Sequence, residues 1–251
     1  RGVTMCGWTT NANQQARLIR AEAAGKANAF YRGLQACTLR WVCPCCTLKK
    51  SEVSRGQLND ALAVARKRKL KPVMMTLTAR HSKKMSLTEF WSVLSRAEQE
   101  LKTTRAWKRL NKRLAGGFAK AVEVTHSERN GWHPHFHLVL LTDADDEAHA
   151  IELVETLRDE WLHQLSRVGL DGTSDAARKR AFDVRGASTV GEYITKWGAA
   201  EEMTLSSSKI GHAKGRTPWQ LLRDARTADT DRERMLAGAL WYEFVQVMQG
   251  V

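Results

Sequence analysis

The chain has 251 residues, 43% of them hydrophobic and 27% charged, enough for one large domain or two small ones with a buried core of their own. No stretch reaches the roughly 18 uncharged apolar residues of a membrane span, and the N-terminal residues lead into no apolar run of signal-peptide length. Forty Lys and Arg against 27 Asp and Glu leave a formal charge of +13, which points to a polyanionic partner, most often nucleic acid.

All five cysteines, Cys6, Cys37, Cys43, Cys45 and Cys46, fall in the first fifty residues. That asymmetry predicts a local module over 1–50, followed by the main domain over 51–251 with a helical extension at its C-terminus. Val53, Leu58, Ala61, Leu62 and Ala65 predict an amphipathic helix over 52–67, ended by Pro72. A basic run, Arg66-Lys67-Arg68-Lys69-Leu70-Lys71, lies at its end. Residues 73–78 read as a short buried strand. Ser86 is placed to cap a helix whose stripe is Leu87, Phe90, Trp91, Leu94 and Leu101. A second basic run spans 105–113. Two strands, 118–125 and 134–141, flank Asn130-Gly131, a hairpin-turn signal. Helix is expected over 145–165, a third basic run at 178–180, a short strand at 182–184 and a helix over 188–197. Leu205 to Arg216 reads as a loop, and Leu236, Leu240, Phe244 and Val247 predict a final helix.

Helices and strands are interspersed, and the clearest strand pair is an antiparallel hairpin. The expected class is therefore α+β, one antiparallel sheet with flanking helices.

The most informative stretch is Trp132-His133-Pro134-His135-Phe136-His137, running into Leu138-Val139-Leu140-Leu141. Side chains alternate along a strand, so His135 and His137 share one face and can together hold a divalent ion. A lone histidine would read as packing; three alternating in five residues do not. The neighbouring strand should supply a third ligand, and two residues compete for it. A strict two-residue turn at Asn130-Gly131 pairs His126 with His135 and puts Glu123 on the opposite face, whereas one bulge or one extra loop residue reverses that. Glu123 is preferred, because a carboxylate with two imidazoles suits a hard, phosphate-binding ion such as Mn or Mg.

Cys43 and Cys46 form a Cys-x2-Cys knuckle that Cys37 and Cys6 can complete, a closed structural zinc arrangement with Cys45 as the spare thiol. A redox Cys-x2-Cys would want a thioredoxin-like context that the flanks lack. The long gap from Cys6 to Cys37 is unexplained by the sequence.

Together these residues carry a resemblance. His135-Phe136-His137 resembles the histidine–hydrophobe–histidine signature of HUH endonucleases, and Met75-Thr76-Leu77-Thr78-Ala79-Arg80-His81 resembles the Thr-Leu-Thr strand of rolling-circle replication initiators. Gly191-Glu192-Tyr193-Ile194-Thr195-Lys196-Trp197 is similar to their Tyr-x-x-Lys motif. The cysteine segment and Thr217-Pro218-Trp219-Gln220-Leu221-Leu222 are similar to single-tyrosine plasmid replication initiators, with the motifs in family order. The resemblance implies an HUH-endonuclease fold with an N-terminal zinc-ribbon-like module. It also implies a metal-dependent endonuclease and strand transferase. Tyr193 would attack single-stranded or hairpin origin DNA, leaving a 5′-phosphotyrosyl link, and Lys196, one turn on, would offset charge at the phosphate. The expected setting is the bacterial cytoplasm, with duplex origin DNA, a host helicase and a host polymerase as partners. Where some relatives carry a terminating glutamate, this chain has Thr189, and the nearby Glu192 faces elsewhere. Two other readings stand beside this one: an HUH relaxase or transposase, and a non-catalytic zinc-ribbon regulator that would leave the three histidines unexplained.

Overall fold

The computed structural model describes residues 2–23, 26–80, 82–187 and 215–249. Its centre is a four-stranded antiparallel sheet built from β3 (Lys71–Leu77), β4 (Phe118–Ser127), β5 (Gly131–Thr142) and β6 (Phe182–Arg185), in the order β4-β5-β3-β6. A separate hairpin, β1 (Arg17–Ala23) with β2 (Lys26–Arg32), precedes it. The helices are α1 (Gly2–Met5), α2 (Pro44–Lys67), α3 (Leu87–Thr103), α4 (Arg105–Asn111), α5 (Glu147–Glu155), α6 (Arg158–Arg167) and α7 (Asp175–Arg180), then α8 (Pro218–Thr227) and α9 (Asp231–Met248). The mixed architecture with one main antiparallel sheet agrees with the expected class. Among the described residues no helix is long and apolar enough to cross a membrane.

The apolar run of β5 is explained by burial on both faces. Phe136, Leu138 and Leu140 join Val73, Met75, Leu77 and Phe182 on one face, under Phe90, Leu94 and Leu101 of α3 and Trp161 and Leu165 of α6. Each such side chain, fully buried, contributes about 1.5–3 kcal/mol. α3 begins at Ser86 in a reciprocal capping box with Glu89. Thr104 ends it and caps α4, accepting from Trp107 N–H at 3.1 Å. Near the β4–β5 turn this same face carries Val124 and Trp132, packed by Leu221 of α8 and Phe244 and Met248 of α9. Glu243 ties them together, accepting from Leu87 N–H and, at 2.8 Å, from Trp132 Nε1–H.

On the other face α2 lays Leu58, Leu62 and Ala65 over Met74, Val139 and Leu141. Beyond Val139 that face turns polar, carrying Thr76, His137, His135, His133 and Glu123.

Several elements depart from the expectation. α2 begins at Pro44, eight residues early, because Pro at the first helical position needs no N–H partner and Cys43 precedes it in an extended conformation. The division expected between residues 50 and 51 thus falls inside one continuous helix, which the cysteine module and the sheet share. Pro72 does not end that helix. It ends at Lys67, with Lys69 left-handed at φ 59°, and Pro72 sits in β3 ahead of the β6 pairing, where one side of the strand is an edge. The helix expected over 145–165 breaks into α5 and α6 at Thr156, whose hydroxyl donates to Leu153 O at 2.7 Å. The β1–β2 hairpin is unexpected: its alternating apolar positions, Ala21, Ala23, Ala27 and Ala29, are small, and its larger apolar residues, Leu18-Ile19 and Phe30-Tyr31, are adjacent in sequence. The helix expected over 188–197 lies outside the described residues, as does most of the loop expected over 205–216.

Candidate metal centre and cysteine cluster

The β4–β5 hairpin reverses over Glu128, Arg129 and Asn130, and Ser127 pairs with Gly131. Gly131 is left-handed, at φ 77°, and a Cβ there would lie 3.1 Å from Lys83 Cα, so glycine suits both the turn and the close approach. Three loop residues set the register: Glu123 pairs with His135, Thr125 with His133 and Ala121 with His137. His126 pairs with Trp132 on the opposite face, its ring 4.9 Å from the indole. Burial, reinforced by the Arg216 cation, pushes the His126 pKa down.

On the polar face His137 Nε2–H donates to Glu123 Oε2 at 2.9 Å. Its Nδ1 accepts from the Thr76 hydroxyl at 3.1 Å. The His137 hydrogen bond holds the Glu123 carboxyl below the usual carboxylate range, against the opposing effect of burial. His135 stacks on His137 at 5.8 Å, with planes only 5° apart. Its Nε2 lies 3.1 Å from Nδ1 of His133. Two imidazoles and a carboxylate on one rigid strand pair are the donors that a hard divalent ion takes. The side chains are not drawn into a closed set, because His135 is turned toward His133.

Thr76, His133 and Asp183 are the neighbours that sequence reasoning did not select. Asp183, Thr76 and His137 align across three adjacent strands. Thr76 was visible within the Thr-Leu-Thr motif, but only the β3–β5 register shows that it touches His137. The chain leaves β6 through Gly186, where a Cβ would collide with the Glu147 carboxylate at 1.7 Å. Tyr193 and Lys196, the expected nucleophile and its cation, lie outside the described residues, together with Thr189 and Glu192.

The cysteine cluster is closed. Among the described residues, the Sγ atoms of Cys6, Cys37, Cys43 and Cys46 form the one set of potential ligand atoms lying within 4.8 Å of one another. Sγ of Cys46 is 3.4 Å from that of Cys6 and 3.6 Å from that of Cys37. These separations far exceed a disulfide bond of about 2.05 Å. Cys43 and Cys46, three apart at the start of α2, share a helix face, while Cys45 points outward and is exposed. The long gap before Cys37 is the β1–β2 hairpin, whose antiparallel strands return the chain so that Cys37 N–H donates to Cys6 Sγ at 3.4 Å. Burial pushes the thiols of Cys37, Cys43 and Cys46 up. Four convergent thiols can hold a metal ion such as zinc, which would reverse that trend by stabilising thiolates.

Residues 29–161 match the family described as Replication protein. The chain belongs to that family. The resemblance to rolling-circle plasmid replication initiators drawn from the motifs therefore holds for this replication protein. It is 25% identical to "Protein rep" of Streptomyces lividans over 293 aligned positions, covering 93% of this chain and 64% of that protein. It is 29% identical to "Neomycin resistance protein" of Streptomyces cyanogenus over 150 positions, covering 50% of this chain and 34% of that one. The chain thus spans less than two thirds of the length of either relative. No solved structure matches it.

The basic runs are exposed. Arg66 and Lys67 end α2 with Arg68 and Lys69 just beyond it, Lys108, Arg109 and Lys112 lie along and just after α4, and Arg178 to Arg180 end α7. Leu70 of the first run lies beside Gly116, three residues past the second, where an added Cβ would be 3.2 Å from Leu70 Cδ1.

Proposed function

We propose that this replication protein initiates rolling-circle plasmid replication by nicking and rejoining origin DNA, on an HUH-endonuclease fold with an N-terminal zinc module. The observation that supports this reading is the shared sheet face of Glu123, His135 and His137, fixed by the three-residue β4–β5 turn. Those three residues would hold Mn or Mg, and Cys6, Cys37, Cys43 and Cys46 would hold zinc. A non-catalytic zinc-ribbon regulator would use the cysteines and the charge but has no use for that face.

Held by Glu123, His135 and His137, such an ion would supply Lewis-acid polarisation and orientation of the scissile phosphate. Thr76 orients His137, and because a hydroxyl can donate or accept, it serves either imidazole tautomer. With its Nε2 free to serve as a ligand atom, His137 would carry the ring proton on Nδ1 and donate it to Thr76 Oγ1. The Tyr193 hydroxyl, freed of its proton, attacks phosphorus. The bond from phosphorus to the 3′ oxygen breaks, the tyrosine's proton passing to solvent and the departing oxygen taking one from solvent, so that the 5′-phosphate is left on tyrosine beside a free 3′-hydroxyl. Lys196 offsets negative charge on the phosphate as this happens. The 3′-hydroxyl then primes synthesis by a host polymerase behind a host helicase, in the bacterial cytoplasm. A single-stranded origin oligonucleotide mixed with protein and Mn, run on a denaturing gel, tests the reading. A covalent adduct that EDTA suppresses is expected, and failure to form any adduct with origin DNA would refute nicking.

A further inference from the structure

The β1–β2 hairpin has no role in the site above, and its composition is unusual for a surface ribbon. Leu18 and Tyr31 are cross-strand partners, as are Ile19 and Phe30. Leu18 is 65% exposed, Tyr31 62% and Phe30 47%. At its base Arg17 lies directly opposite Arg32, both exposed. Like charges in that position destabilise a ribbon, and neither guanidinium has an acidic partner among the described residues. Arg20 is also exposed, paired with Glu22 at 2.8 Å.

A two-stranded ribbon is marginal in water without support. Among the described residues, the hydrogen bonds that tie it to the rest of the chain lie at its base. Asn11 N–H donates to Gly33 O at 2.9 Å, Gln35 N–H to Thr9 O at 2.8 Å and Gly7 N–H to Gln35 O at 2.9 Å. Gly33 is left-handed at φ 87°, and a Cβ there would lie 2.4 Å from Gln15 O. Cys6 and Cys37 flank this base and meet in the cysteine cluster. The cluster therefore clamps the ribbon's two ends together, with Leu18, Phe30 and Tyr31 left exposed.

We propose that β1–β2 is a DNA-binding arm, presented by the cysteine cluster and seated on duplex DNA, with Arg17 and Arg32 bracketing backbone phosphate. The proposal deepens the initiator reading and rests on it for the identity of the polyanion. Duplex is favoured because the major groove admits a two-stranded ribbon, and seven residues per strand span about 23 Å. A phosphate between the two arginines removes the repulsion that the free ribbon carries, and the exposed Phe30, on the same ribbon face as the arginines, supplies apolar contact to the groove, with Leu18 and Tyr31 on the other face.

The test uses the full chain, zinc-loaded, and a fluorescent mixed-sequence duplex of about 30 base pairs, titrated at several salt concentrations. Arg17→Ala with Arg32→Ala should weaken duplex binding about tenfold or more and reduce the salt slope by about 1.8, the value for two lost phosphate contacts. Arg17→Glu keeps the result clear of misfolding. It places opposite charges across the ribbon, so melting temperature should hold or rise while duplex binding falls. Adduct formation on a single-stranded oligonucleotide, measured in parallel, reports the nicking reading separately and should be retained. Unchanged duplex affinity in both variants overturns the proposal. So does a loss as large on a single-stranded probe as on duplex, which would make the arm a single-strand contact.

Discussion

Glu123 and His135 are direct cross-strand partners, and they are so because three residues rather than two turn the β4–β5 hairpin. A two-residue turn on Asn130-Gly131 would put His126 in that place and point Glu123 into the apolar layer. The register of one turn thus selects which side chain joins the histidines. On the proposed reading, Glu123→Ala should lower nicking at least about 100-fold at low metal, the loss of several kcal/mol of transition-state stabilisation. His126→Ala should nick normally. Deleting Thr125 from within β4 should carry Glu123 to the opposite face of the sheet and abolish adduct formation. Quantified adduct yield across a Mn titration checks all three.

Thr76 contacts His137 and no reacting atom, so it acts as a positioning residue. Thr76→Val, nearly the same size without the hydroxyl, should weaken metal affinity about 10- to 100-fold, seen as a higher Mn concentration for half-maximal nicking. Thr76→Ser should restore it. A Thr76→Val protein with an unaltered Mn requirement would show the contact to be packing alone.

Tyr193→Phe removes only a hydroxyl. DNA binding should persist while nicking and adduct formation disappear, and mass spectrometry of a trapped wild-type adduct should find the nucleotide on the peptide carrying Tyr193. Lys196→Ala should cleave more slowly, since it assists without forming a bond. A nucleotide found on Tyr31 or Tyr242 would end the assignment.

One zinc per chain should accompany the purified protein, and its removal should act on stability. Four cysteine ligands leave no open position for substrate, so chelation or Cys46→Ala should lower the melting temperature by about 5–10 °C. Cys45→Ala should leave zinc content unchanged, because that thiol points away from the cluster. Elemental analysis with calorimetry distinguishes the two variants.

Asp171 accepts from the hydroxyl and backbone N–H of Ser174 and from Arg80, and these bonds hold its pKa at about 2, below the ordinary 3.8. The folded state therefore favours the carboxylate. Its contribution is present above the ordinary value and is lost as pH falls through about 2. Asp171→Asn should lower the melting temperature at neutral pH, and the difference from wild type should shrink steadily below about pH 4.

Some features were local enough to read directly. The Ser86 cap depends on residues three apart, the α3 stripe on helical spacing, and the shared face of His135 and His137 on strand alternation; the structure contains all three. The mixed helix–sheet class followed from the order of such patterns. Other features depend on chain returning from far away, and no local pattern encodes them. The turn length that pairs Glu123 with His135 is reinforced by Gly131 packing on Lys83, a contact made outside the hairpin. Thr76 meets His137 only through the pairing of β3 with β5, sixty-one residues apart. Cys6 reaches Cys37 because an unannounced hairpin closes the intervening loop, which converts the one weakness of the cysteine pattern into a base for a projecting arm. The sequence by itself determined residue chemistry and local periodicity; which of those residues meet was decided by strand register and packing, where a shift of a single residue moves a side chain to the other face.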